Sequence, residues 1–180
     1  AKYIINTIMQ IKLDSQVYKK GKVNIVEIMG RHAGWLTASA SVASTEGLGP
    51  DLLYLPEQVF DVEQFLQEVE QIYKKTNNCL IAVSEGIKDK DGKFIGALNQ
   101  KKDAFGHMQL GGVALTLGGL IEQHLGLKYR AIELSTVQRS ASFMRSKTDV
   151  YEAIECGREA VRRAINKETG KMIVMKRISE

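Results

Sequence analysis

Apolar runs of strand length alternate along this chain with stripes spaced for helices, and that alternation constrains the fold more than any other feature. Residues 23–28 (VNIVEI) and 79–83 (CLIAV) are short, mainly apolar runs, the mark of strands buried on both faces. Shorter runs at 52–55, 130–134 and 172–175 read the same way. Between them, residues 2–11 carry Ile4, Ile5, Ile8 and Ile11 on one helical stripe. Residues 61–75 put Val62, Phe65, Leu66, Val69, Ile72 and Tyr73 on one face, behind a capping box of Asp61 and Gln64. Residues 112–124 read as a helix weakened by Gly118 and Gly119 and stopped by Gly126. A further helix, capped by Thr148 or Asp149, runs to about Asn166. Asp91-Gly92 turns a hairpin between Ile87 and Ile95. The expected fold is α/β: a mostly parallel sheet with helices on both faces, a three-layer sandwich.

With 44% hydrophobic residues, the 180-residue chain has material for a real core. Its 25 Lys and Arg against 21 Asp and Glu leave a net charge of +4, but the cations are scattered, so nucleic acid is not the default partner, a small anionic substrate fits equally well, and for most of these charges a solvated surface is a simpler reading than either. Cys79 and Cys156 have neither metal-ligand spacing nor a disulfide framework, so both are expected to be buried free thiols in a reducing cytoplasm. No signal peptide and no membrane-spanning run is visible, and a chain that starts at Ala1 in a helical pattern reads as a piece of something longer.

The stretch 23–43 (VNIVEIMGRHAGWLTASASVA) carries the most chemistry. A strand feeds the turn Met29-Gly30-Arg31, and a helix over 32–43 follows; free N–H groups at such a helix start bind anions, although the same turn can simply join two elements. In open α/β sheets ligands sit beyond the carboxyl ends of the strands. There the run 23–28 delivers Met29, Gly30 and Arg31, the run 79–83 delivers Glu85, and the run 130–134 leads into Ser135, Thr136 and Arg139. One glutamate and two arginines around one pocket suit a sugar phosphate, since carboxylate accepts from hydroxyls and guanidinium grips phosphate oxygens. Lys22 and Arg130 lie at the opposite ends of their strands, out of easy reach of that pocket. The segment 105–112 (FGHMQLGG) sets glycines before a helix, open to a phosphate or a packing role. His107 reads as a helix-start or packing histidine sooner than as a catalyst, His32 and His124 form no metal constellation, and Trp35 and the methionines are expected to anchor core or loops.

Three of these segments resemble the phosphofructokinases: VEIMGRHAGWL is similar to their MGR segment, AVSEG (82–86) to their substrate-binding glutamate turn, and RAIELSTVQRSAS (130–142) to a second sugar-phosphate segment ending in Gln-Arg. The resemblance extends over essentially the whole chain and implies a phosphofructokinase-like fold. It assigns Met29, Gly30, Arg31, Glu85, Thr136 and Arg139 to fructose 6-phosphate, and gives Lys22 and Arg130 to the 6-phosphate of a neighbouring subunit's site, hence a homo-oligomer. Lys22 stands where bacterial ATP-dependent members usually have arginine, and Thr136 where many have histidine and some pyrophosphate-linked ones tyrosine. The segment 105–112 looks like the longer, often pyrophosphate-dependent branch, which tilts the donor, ATP or pyrophosphate, towards the latter. The family's donor loop and catalytic aspartate segment precede the MGR turn, and LDSQ around Asp14 does not match them. The resemblance therefore implies transfer to C1 of fructose 6-phosphate by the full protein, with Mg2+ held mainly outside this chain and no turnover by these residues alone. Residues 1–138 would be the sugar-phosphate domain, and 139–180 a helix and strand returning towards the missing donor domain. A non-catalytic regulatory subunit sensing sugar phosphates is the alternative; Glu85 and Gln138-Arg139 argue against a lipid or NAD kinase.

Overall fold

A computed structural model describes residues 1–96, 112–176 and 178. Two compact units are present: Ala1 with Tyr3–Ser140, and Lys2 with Ala141–Glu180. The first contains α1 (Lys2–Ser15, its Lys2 apart), β1 (Val23–Ile28), α2 (Trp35–Ala38), a 3-10 helix (Ser39–Glu46), β2 (Leu52–Tyr54), α3 (Val62–Thr76), β3 (Cys79–Ser84), α4 (Val113–Leu125), β4 (Tyr129–Glu133) and α5 (Ser135–Ser140). The four strands form one parallel sheet in the order β2-β3-β1-β4.

The near-continuous apolar runs produce the expected three layers. Val23 and Ile25 of β1 pack with Ile81 and Val83 of β3 against Phe65 and Val69 of α3 and Leu117 and Ile121 of α4. Val26 and Ile28, one residue out of phase, pack with Leu80 and Ala82 against Ile4 and Ile8 of α1 and Ala40 and Ala43 of the 3-10 helix. Each large side chain removed from water in this way contributes about 1.5–3 kcal/mol relative to exposure. A Tyr54–Phe60–Phe65 cluster, with ring centroids 5.1–5.6 Å apart, extends the first of these layers.

Local signals act much as their chemistry requires. Asp61 accepts the Gln64 N–H at 2.9 Å, but the Gln64 side chain donates to Glu68 instead of returning to Asp61, so only half of the capping box forms. Gly126 ends α4 in the left-handed region (φ 63), and Gly92 (φ 76) turns the hairpin whose Ile95 N–H donates to the Ile87 carbonyl. Gly118 and Gly119 differ in purpose. A Cβ on Gly118 would sit 2.1 Å from the Tyr129 ring, so glycine lets α4 lie on β4, whereas Gly119 faces open space.

Several expectations fail. The helix expected over 32–43 begins only at Trp35 and gives way to the 3-10 helix at Ser39; the hydroxyls of Ser39, Ser41 and Thr45 donate to carbonyls three residues back, competing with regular helix. Trp35 anchors no core, being 84% exposed, and Met172 and Met175 are exposed as well. In the second unit, α6 (Lys147–Ile165) is capped by Ser146, whose Oγ accepts the Asp149 N–H, and not by Thr148 or Asp149. Residues 172–175 are not a strand: among the described residues they have no ladder partner, and an apolar run becomes a strand only where an edge receives it. Cys79 is a buried free thiol, its ionisation pushed up to about 12 by burial, whereas Cys156 is only half-buried.

The two adjacent glycines give a paired prediction. Gly118→Ala should destabilise the protein by about 1–3 kcal/mol through overpacking, and Gly119→Ala should stabilise it by about 0.5–1 kcal/mol; opposite shifts in Tm would be the readout.

Candidate functional site

Because all four strands run the same way, β1, β3 and β4 release the chain along a single sheet edge. Backbone groups leaving a buried strand must find partners there. The Met29 N–H donates to Gln138 Oε1 and the Gly30 N–H to Glu85 Oε1, each at 3.1 Å. The Ser84 hydroxyl donates to the Gly30 carbonyl and accepts the Gly86 N–H. A Cβ on Gly86 would fall 2.0 Å from the Arg31 carbonyl oxygen, so the Arg31 backbone rides directly on that glycine.

Met29, Gly30, Arg31 and Glu85 thus form one hydrogen-bonded corner. Ser135, in the left-handed region at φ 38, swings the chain from β4 into α5, and Gln138 ties α5 back to the corner. The next residue, Arg139, is exposed and has no ion pair among the described residues; Thr136 is exposed on the same helix. Part of the N–H set expected to be free for an anion is already occupied. The N–H groups of Met29, Gly30 and Gly34 are taken by Gln138, Glu85 and Glu57, the last at 2.6 Å, because buried donors require acceptors. Exposed side chains at the rim, Thr136 and Arg139 among them, are also offered to a ligand. The hairpin borders the corner too, with Lys88 over the Phe94 ring at 4.6 Å and His32 6.5 Å from that ring.

Lys22 and Arg130 lie at the other edge of the sheet, where they share a shallow recess with Asp14, Ser15, Tyr18 and Asn24. Asp14 pairs with Arg130 at 3.4 Å. The segment 105–112 lies outside the described residues except for Gly112, the residue preceding α4 (φ 78).

The phosphofructokinase family model matches residues 1–164. The chain belongs to the phosphofructokinase family. It is 44% identical over 183 residues to the pyrophosphate–fructose 6-phosphate 1-phosphotransferase of Halomonas elongata, covering 100% of this chain and 43% of that protein. Over 186 residues it is 39% identical to the enzyme of the same name from Xanthomonas campestris pv. campestris, covering 100% of this chain and 44% of that one. Among solved structures, a pyrophosphate-dependent phosphofructokinase from Nitrosospira multiformis superposes with a TM-score of 0.73 at 34% identity, covering 99% of this chain and 42% of that chain. The chain therefore spans less than half the length of the relatives it matches.

Three residues of this phosphofructokinase chain were not singled out as site residues from the sequence. Gln138 and Glu57 accept the Met29 and Gly34 N–H groups across 109 and 23 residues of chain, a pairing no local pattern encodes. Glu27 did carry a signal: in the row Val23, Ile25, Glu27 that faces α4, a carboxylate replaces the expected apolar residue. It is 5% exposed and accepts the Ala114 N–H at the start of α4 at 2.9 Å. Burial, aided by the nearby charges of Glu133 and Glu85, pushes its ionisation up to about 7 against the pull of that N–H. Among the described residues no group of three or more His, Cys, Asp or Glu side chains is arranged to hold a metal ion.

Two predictions arise from this geometry. Gly86→Ala should displace the Arg31 backbone and lower stability by about 1–3 kcal/mol, read as a fall in Tm. For Glu27, between its ordinary value of 4.5 and about 7 the folded protein keeps a proton that the unfolded chain has released. The stability that goes with this proton is complete below the lower value and lost as pH rises through the upper one. Glu27→Gln should remove that loss, so the stability difference between the two proteins should change by roughly 1–3 kcal/mol between about pH 4 and pH 8 in denaturant melts.

Proposed function

We propose that the intact protein transfers a phosphoryl group to the C1 hydroxyl of fructose 6-phosphate, giving fructose 1,6-bisphosphate, and that this chain supplies the sugar-phosphate half of the site. The observation that carries the reading is the convergence of three parallel strand ends on one corner, with Glu85 tied to the Gly30 N–H and α5 tied to Met29. Pyrophosphate is the proposed donor, supported by the names of the relatives from Halomonas and Xanthomonas. ATP is the other donor tested below.

In this reading the second Glu85 oxygen accepts a sugar hydroxyl while the first stays on Gly30, which holds the carboxylate still. Arg31 and Arg139 grip phosphate oxygens, Thr136 adds a short hydroxyl donor, and Met29 and Gly30 set the wall against which the sugar lies. Lys22 and Arg130, at the opposite edge, reach the phosphate bound by a neighbouring copy, so the working form is a homo-oligomer. The sugar hydroxyl attacks in line, an O–P bond forms, the bond to the leaving phosphate breaks, and the hydroxyl proton passes to a base. That base and the donor-binding groups are assigned to the part of the protein beyond these residues. Mg2+ would neutralise charge on the donor when bound; the described residues of this chain do not fit it as a ligand set. A cytoplasmic setting goes with this function.

The test is a steady-state assay of the full-length protein with fructose 6-phosphate and either donor. Activity with pyrophosphate is expected, together with a rise of at least about tenfold in KM for fructose 6-phosphate in Arg139→Ala, the size of a lost charged hydrogen bond. The 180-residue chain alone should show no turnover. Saturable fructose 6-phosphate binding without turnover by either donor would make the full protein a sensor; no binding at all would overturn the site.

A further inference from the structure

Glu27 has no part in the chemistry just described, yet it sits beneath the corner that does. It lies two residues before Met29 on β1, opposite Val83 of β3 and Glu133 of β4. Its side chain holds the first turn of α4 through the Ala114 N–H, and its main-chain carbonyl accepts the Leu134 N–H where β4 turns into α5. One residue thus connects β1, α4 and the approach to Gln138 and Arg139.

Among the described residues, the charges that act on it are of its own sign. Glu133 faces it from β4 and Glu85 from the end of β3, while the first turn of α4 has no acidic residue. Arg31, on the turn that β1 feeds, and Arg139, on α5, are the cations that the proposed function commits to phosphate. An ionised Glu27 therefore adds a third carboxylate beneath a site meant for an anion, and a neutral one does not.

We propose that Glu27 is a positioning residue for the sugar-phosphate corner, and that loss of its proton weakens the hold on an anionic substrate. This rests on the proposed function. Its buried setting brings the ionisation into the neutral range, so the device works where a cell operates.

The test is the pH dependence of kcat and of KM for fructose 6-phosphate in the full-length protein, comparing wild type with Glu27→Gln and Glu133→Gln. The two KM values for wild type and Glu27→Gln should agree at about pH 6. At about pH 8 wild type should be roughly two- to fivefold higher, the size expected for one partly screened charge at short range, with kcat alike in both. Glu133→Gln, at an exposed position, should move the wild-type inflexion to lower pH by removing a like charge. Parallel KM profiles for wild type and Glu27→Gln, a KM raised by the same factor at every pH, or an inflexion unmoved by Glu133→Gln would each overturn the proposal. If wild type shows no dependence on fructose 6-phosphate, the proposed function falls. The pH-dependent stability difference of Glu27→Gln then still reports whether the carboxyl titrates in the neutral range.

Discussion

β1 is paired along both edges and buried over all six of its residues. Backbone that leaves such a strand cannot turn to water for its hydrogen bonds, so the groups just beyond it have to be satisfied by parts of the chain far away in sequence. Gln138 reaches Met29 across 109 residues and Glu85 reaches Gly30 across 55. The architecture of the candidate site is the consequence. The same constraint that ends the central strand gathers the end of β3 and the start of α5 around one turn.

The corner is held with almost no slack. Gly86 exists to let Arg31 pass, Ser84 bonds to both sides of the turn, and Glu57 closes the start of α2. With the Met29, Gly30 and Gly34 N–H groups occupied, the corner also presents the exposed side chains of Thr136 and Arg139 at its rim. Against this rigidity, Glu27 is the one described buried group poised to change charge near neutral pH, at the place where β1, α4 and the β4–α5 turn meet.

The layers of the fold were legible from periodicity because burial on both faces leaves nearly continuous apolar runs, as in residues 23–28 and 79–83, and burial on one face leaves stripes, as in α3. Stops were legible where a single residue carries the geometry, as Gly126 and Gly92 do. Legibility ended where two local options were close in energy. Serine hydroxyls tipped 39–46 into 3-10 helix, and Ser146 served as a cap in place of its neighbours Thr148 and Asp149. The run 172–175 has strand composition but no edge to join among the described residues.

The sequence by itself determined the family, the parallel α/β class and the residues offered at the strand ends, because these depend on residue type and on spacing along the chain. Only the tertiary structure decided that the Met29, Gly30 and Gly34 N–H groups are already taken, that Gln138, Glu85 and Glu57 take them, that Trp35 faces outward, and that burial pushes the Glu27 ionisation up to about 7. Each of these is set by what lies across space from a group. A hydrogen-bond partner or a desolvated charge is a property of a neighbourhood, and neighbourhoods come into being only when distant segments pack.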